Sequence, residues 1–189
     1  MRSVRLVKSP FARQIVDNGN LTIYTNNFNT IVLPKTDKLI IFNNGTNYNN
    51  EFYKKLIAPK LELTGFTNVE LSYNYDELIL NKCQFEQKDI NVRIGELTVV
   101  NCSSNLLNIS KIRSNSLKLH YNKTKYHHDY NFHTISLELF GNNLTIENGI
   151  NLGGINNLKK LTVKNNKFII TELKDLMGNL DTFTFTIDV

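Results

Sequence analysis

Residues 137–144, Leu137-Glu-Leu-Phe-Gly-Asn-Asn-Leu144, spell L-x-L-x-x-N-x-L, and the same spacing of residue types recurs along the chain. Matches begin at Val4 (VRLVKSPF), Leu21 (LTIYTNNF), Leu39 (LIIFNNGT), Leu61 (LELTGFTN), Leu78 (LILNKCQF), Leu97 (LTVVNCSS), Leu117 (LKLHYNKT), Leu161 (LTVKNNKF) and Phe183 (FTFTIDV). Successive starts lie 17–24 residues apart. A near-constant period of this size marks stacked units that each bury an apolar face against their neighbours. Within a unit, two apolar residues separated by one other place both side chains on one face of a strand. The reading is a single β-dominated α/β repeat solenoid over residues 1–189, with one parallel sheet of about ten short strands and few short helices.

Counting the first apolar residue as position one, the sixth position runs Ser9, Asn26, Asn44, Phe66, Cys83, Cys102, Asn122, Asn142, Asn166 and Asp188. An asparagine there can turn inward and satisfy the backbone groups exposed where the chain leaves the strand. Asn26, Asn44, Cys83, Cys102, Asn122, Asn142 and Asn166 are therefore expected to align as a buried ladder. Phe66 interrupts it, so the coil from Leu61 is expected to bulge or slip in register. The returns between strands read as irregular or extended turns, with short helical segments expected at 50–57 and 171–177.

The pattern at periods near twenty resembles the leucine-rich repeat family, over essentially the whole chain. Cys83 and Cys102 at the asparagine position are similar to the cysteine-containing, F-box-associated subclass. The resemblance implies a curved solenoid with its strands on the concave side, where ligand contacts usually lie, and a role in protein recognition.

The totals narrow the function classes. A net charge of +5 is a mild bias towards anionic partners and falls short of the dense basic stripe of a dedicated nucleic-acid binder. The apolar run in MRSVRLVKSPFARQ is too short for a signal peptide or a membrane span; it reads as the first coil of an intracellular protein, cytoplasmic or nuclear. Of six N-x-[ST] sequons, those at Asn44 and Asn122 fall on the inward ladder position, which argues against a glycoprotein. The first strand starts at Val4 and the tenth reaches Val189, so either the chain is a fragment or its ends are covered by a partner, a second copy or a larger assembly.

Residues that could carry chemistry are few. His120, His127, His128 and His133 lie close together with Asp129, but their spacing and the lack of a nearby cysteine favour a solvated polar loop over a metal site. Cys83 and Cys102, stacked in adjacent coils, read as small buried groups without a base to activate them. Gly153-Gly154 lacks the remainder of a phosphate-binding motif. Glu62 and Glu138 are too many coils apart for paired acid–base work. No cofactor or catalytic residue is expected.

What remains is the outward strand face. Its fourth-position column begins Val7, Tyr24, Phe42, and with Ile40 beside them these make an apolar and aromatic patch of the kind that anchors protein interfaces. Arg5, Lys8, Lys82, Lys118 and Lys164 place cations on that face, and His120, Tyr121 and Phe140 continue it. The function expected is a non-enzymatic protein–protein interaction scaffold, with a ribonucleoprotein-associated RNA binder as the alternative, holding phosphates through the basic residues.

Overall fold

The computed structural model describes residues 2–44, 47–48, 50–71, 73–84, 92–102, 113–125, 133–145, 150–151, 157–166, 170–171 and 180–186. The elements in chain order are β1 (Ser3–Lys8), β2 (Arg13–Asp17), β3 (Asn20–Thr25), a 3-10 turn (Phe28–Thr30), β4 (Lys38–Phe42), α1 (Asn50–Tyr53), β5 (Lys60–Thr64), β6 (Tyr75–Asn81) and β7 (Arg93–Val100). They continue with β8 (Arg113–His120), β9 (Lys123–Lys125), β10 (His133–Phe140), β11 (Asn143–Thr145), β12 (Ile150–Asn151), β13 (Lys160–Lys164), β14 (Ile170–Thr171) and β15 (Thr182–Thr186).

Every repeat start is a strand, and all ten pair in register. Leu39 sits opposite Leu61, then Leu78, Leu97, Leu117, Leu137, Leu161 and Phe183 follow without a slip. Ten parallel strands and one antiparallel strand make a single sheet, ordered β15-β13-β10-β8-β7-β6-β5-β4-β1-β3-β2. The protein is thus a β-dominated, mostly parallel β-solenoid. The expectation of one sheet needs correcting: two short parallel ladders, β9 with β11 and β12 with β14, show that the coil continues as strand past the asparagine turn. α1 supplies the expected helical turn at 50–57, whereas the stretch 172–179 lies outside the described residues.

Strand order departs from chain order at one end. β1 lies between β3 and β4, so Val4 has Leu21 on one side and Leu39 on the other. The cause is a hairpin. Asn18 (φ 47°) and Gly19 (φ 78°) form a tight turn of two left-handed residues, which sends β2 back antiparallel along β3. The 17 residues from Val4 to Leu21 therefore hold a hairpin and not a coil, and β2, all five residues exposed, forms that edge of the sheet.

Positions one and three bury their side chains down the stack, from Val4 and Leu6 through Leu117 and Leu119 to Leu161 and Val163. Each such burial stabilises by about 1.5–3 kcal/mol relative to exposure. A further inward column, three residues before position one, holds Thr36, Ala58, Tyr75, Ile94, Ser114, Thr134 and Leu158, all buried. Two inward residues three apart cannot lie on one flat strand, so the chain turns a corner between them. Thr134 serves that corner, its hydroxyl donating to the Ser136 carbonyl at 2.9 Å, and Thr36 does the same to Lys38 at 3.1 Å.

At the other end of the strands the ladder forms over five coils. Asn142 Oδ1 accepts the Asn122 backbone N–H at 3.0 Å, and Asn142 Nδ2 donates to the Leu119 carbonyl at 2.7 Å. Asn122 and Asn166 repeat this, Nδ2 donating to Val99 and Leu139 at 2.9 and 2.8 Å. Cys102 and Cys83 substitute a thiol for the amide, with Sγ 3.5 and 3.4 Å from the carbonyls of Leu80 and Leu63. Asn26 and Asn44 do not join as buried rungs; both are exposed. Here aromatic rings fill the interior. Phe66, fully buried, stacks on Phe52 (5.8 Å) and Phe28 (6.4 Å), with Tyr48 and Tyr53 alongside. Phe66 therefore replaces a polar rung with a ring and leaves the register of its strand intact. Asn44's exposure also removes one of the two arguments against glycosylation, while Asn122 stays buried.

Candidate functional site

The outward face is built by positions two and four. In stack order its fourth-position column runs Tyr24, Val7, Phe42, Thr64, Asn81, Val100, His120, Phe140 and Lys164, because β1 lies between β3 and β4. Tyr24, Val7 and Phe42 are thus contiguous and half-buried, and Ile40 beside Phe42 is buried at 9% exposure. Two guanidiniums cover the rings: Arg13 from β2 stands 4.2 Å from the Tyr24 ring centre, and Arg5 5.6 Å from that of Phe42. Part of the patch is therefore covered by the chain's own hairpin. Arg13 was not anticipated, although the Asn18-Gly19 dipeptide between apolar runs is a hairpin signal that would have placed it opposite Tyr24.

Lys8 does not belong to this face. At position five it shares the parity of Val4 and Leu6, and its Nζ lies over the inner rings of Phe28 and Tyr48, 5.5 Å from each, bonding the Tyr48 hydroxyl at 2.9 Å. Lys82 also occupies position five, in the left-handed region. Lys118 is half-buried at position two, and Lys164 is exposed at position four.

A second aromatic group lies further along. His120 meets Phe140 edge-on at 5.8 Å, and Tyr121 does so at 4.9 Å. His120 Nε2, shielded from solvent, lies 3.0 Å from Glu138 Oε1, within ion-pair range but outside hydrogen-bond alignment. Tyr121 is half exposed and lies so close over Gly141 that a Cβ there would meet its ring at 2.7 Å. Along the neighbouring column, Lys38 pairs with Glu62 (3.6 Å) and Lys60 with Glu77 (3.1 Å).

His127 and His128 lie outside the described residues, as does the side chain of His133. Among the described residues no three His, Cys, Asp or Glu side chains are grouped to hold a metal ion, and no helix is long and apolar enough to cross a membrane. Cys83 and Cys102 are thiols outside any disulfide, each 2% exposed; the hydrogen bond to Cys83, together with burial, pushes the Cys102 thiol up. A thiol held protonated in the interior is a poor nucleophile.

The fold and this face define a parallel β-solenoid presenting an aromatic, arginine-flanked surface. No family model, curated protein or solved structure matches the chain.

Proposed function

We propose that the protein is a non-enzymatic protein–protein interaction scaffold of leucine-rich-repeat-like character, an intracellular subunit of a larger assembly. Its contact surface is the outward strand face around Tyr24, Val7 and Phe42. The observation that carries this is the run of three apolar side chains in adjacent registers, two of them aromatic rings under arginine guanidiniums. Aromatic and arginine side chains held rigid on a sheet are the composition of interface anchors, because they bury much area with little loss of side-chain freedom. RNA is the weaker reading. The cations nearest the patch are already engaged, Arg5 and Arg13 on rings and Lys38 and Lys60 with glutamates.

Affinity capture from a matched extract, compared between the native chain and a Tyr24→Ala/Phe42→Ala double variant, tests the proposal. Stoichiometric partners are expected to be lost from the variant while its circular dichroism is unchanged; retention of every partner sinks the patch. Raising salt separates the two readings, since phosphate binding weakens steeply with ionic strength and an aromatic-centred contact does not.

A further inference from the structure

The corner at the start of the strands forms a second surface, distinct from the sheet face. Because the residue three before position one points inward, its neighbours on either side splay outward and leave a trough between them. One wall is the column Lys35, Ile57, Asn74, Arg93, Arg113, His133 and Asn157; the side chain of His133 lies outside the described residues, and the other six are exposed. Two cavities of about 630 and 720 Å³ lie in this trough and adjoin at Asn74 and Asp76, which line both. From β4 to β13 the trough crosses seven strands in succession, about 29 Å at about 4.8 Å per strand.

The two halves differ in chemistry. The half nearer β4 offers the apolar Ile57 (64% exposed), Pro59 and Tyr73, set among the charged Arg2, Lys35, Asp37 and Asp76. The other half holds Arg93 and Arg113, which face each other directly in the register of β7 and β8. Like charges opposite one another on adjacent strands destabilise a sheet. Elsewhere in this sheet the chain pairs lysine with glutamate, but among the described residues neither arginine has an ion-pair partner. Asp76 lines the same cavity without pairing with either. Two guanidiniums one strand apart, open to solvent and uncompensated, form a clamp for a single carboxylate.

We infer that this trough binds an extended peptide segment of a partner protein that carries one acidic residue, an apolar side chain seated at Ile57, Pro59 and Tyr73 and the carboxylate held between Arg93 and Arg113. The spacing follows from the two repeats. Ile57 is two strands from Arg93 and three from Arg113, about 10 and 14 Å. At about 3.3 Å per residue of extended peptide, the apolar residue and the acid are three to four positions apart. A nucleic-acid strand fits less well, because Asp37 and Asp76 stand in the wall along which its phosphates would run.

The test uses a fluorescein-labelled Gly/Ser peptide of about twelve residues carrying one leucine and, four positions on, one glutamate, followed by anisotropy on the full chain. Binding is expected to weaken by about tenfold or more in an Arg93→Gln/Arg113→Gln variant, and equally when the peptide's glutamate becomes glutamine or moves next to the leucine. Lys82→Asn, at the far end of the strands, should leave binding unchanged. The peptide changes keep the test decisive even if the arginine variant fails to fold. Failure of the native chain to bind the peptide, equal affinity for the altered peptides, or tighter arginine-dependent binding of a uridine oligonucleotide overturns the inference. None of these outcomes bears on Tyr24 or Phe42, so the sheet-face proposal stands or falls separately.

Discussion

At position five of six successive coils stand Gly65, Lys82, Asn101, Tyr121, Gly141 and Asn165, all with φ between 51° and 76°. Each of the first five donates its N–H to the fourth-position carbonyl of the next coil, as Lys82 does to Val100 at 3.1 Å. Glycine and asparagine accept this left-handed turn readily; a lysine or tyrosine does so at about 1–2 kcal/mol. Lys82 is exposed, so Lys82→Asn should raise stability by about 0.5–1 kcal/mol, read as a higher urea midpoint at unchanged slope. At Gly65 the sign reverses for alanine, since an added Cβ would meet the Asn43 carbonyl oxygen at 2.5 Å. The asparagine at position six was legible in the sequence as the residue that satisfies the turn, but the left-handed role of position five was not, because it depends on which carbonyl the next coil presents.

The asparagine ladder is the element that holds neighbouring coils together at the strand ends. Asn142 satisfies a buried N–H of Asn122 and a buried C=O of Leu119 at once. Asn142→Ala leaves both without partners and should destabilise by about 2–4 kcal/mol, whereas Asn142→Cys should lose less, because Cys83 and Cys102 fill the same place with a thiol. Chemical denaturation of the two variants side by side checks this; equal losses would mean that the ladder's hydrogen bonds contribute little. The ladder was readable from Asn122, Asn142 and Asn166 through the requirement to satisfy buried backbone. Its interruption at Phe66 was readable as well, but the stacking of that ring on Phe28 and Phe52 was not, since packing of rings distant in sequence decides it.

For the molecule as a whole, the interior is stacked apolar rows with two tyrosine hydroxyls among them. Tyr53 donates to the Thr67 carbonyl at 3.1 Å and Tyr75 to that of Leu56 at 3.3 Å, and burial pushes both hydroxyls up from the ordinary value near 10. A raised folded-state value means that the folded state holds these protons more tightly. Their contribution is complete below about pH 10 and is lost as pH rises above it. Stability measured by urea titration should therefore fall as pH rises from about 10 to about 11, and a Tyr53→Phe/Tyr75→Phe variant should fall less over that interval. An identical decline in both would exclude the tyrosines as its cause.

The sequence by itself determined which residues face inward at positions one and three and the number of parallel strands, because side-chain alternation is a local property of each strand and the period repeats it; that the strand from Leu61 keeps its register despite Phe66 was decided by the packing of that ring. Only the tertiary structure decided that β1 lies between β3 and β4, that Arg13 covers Tyr24, that Lys8 turns to the inner rings, and that Arg93 and Arg113 stand side by side along one wall of a trough. These depend on which strand completes the hydrogen bonds of which neighbour, and on the corner that the chain takes three residues before each repeat, neither of which a spacing of leucines specifies.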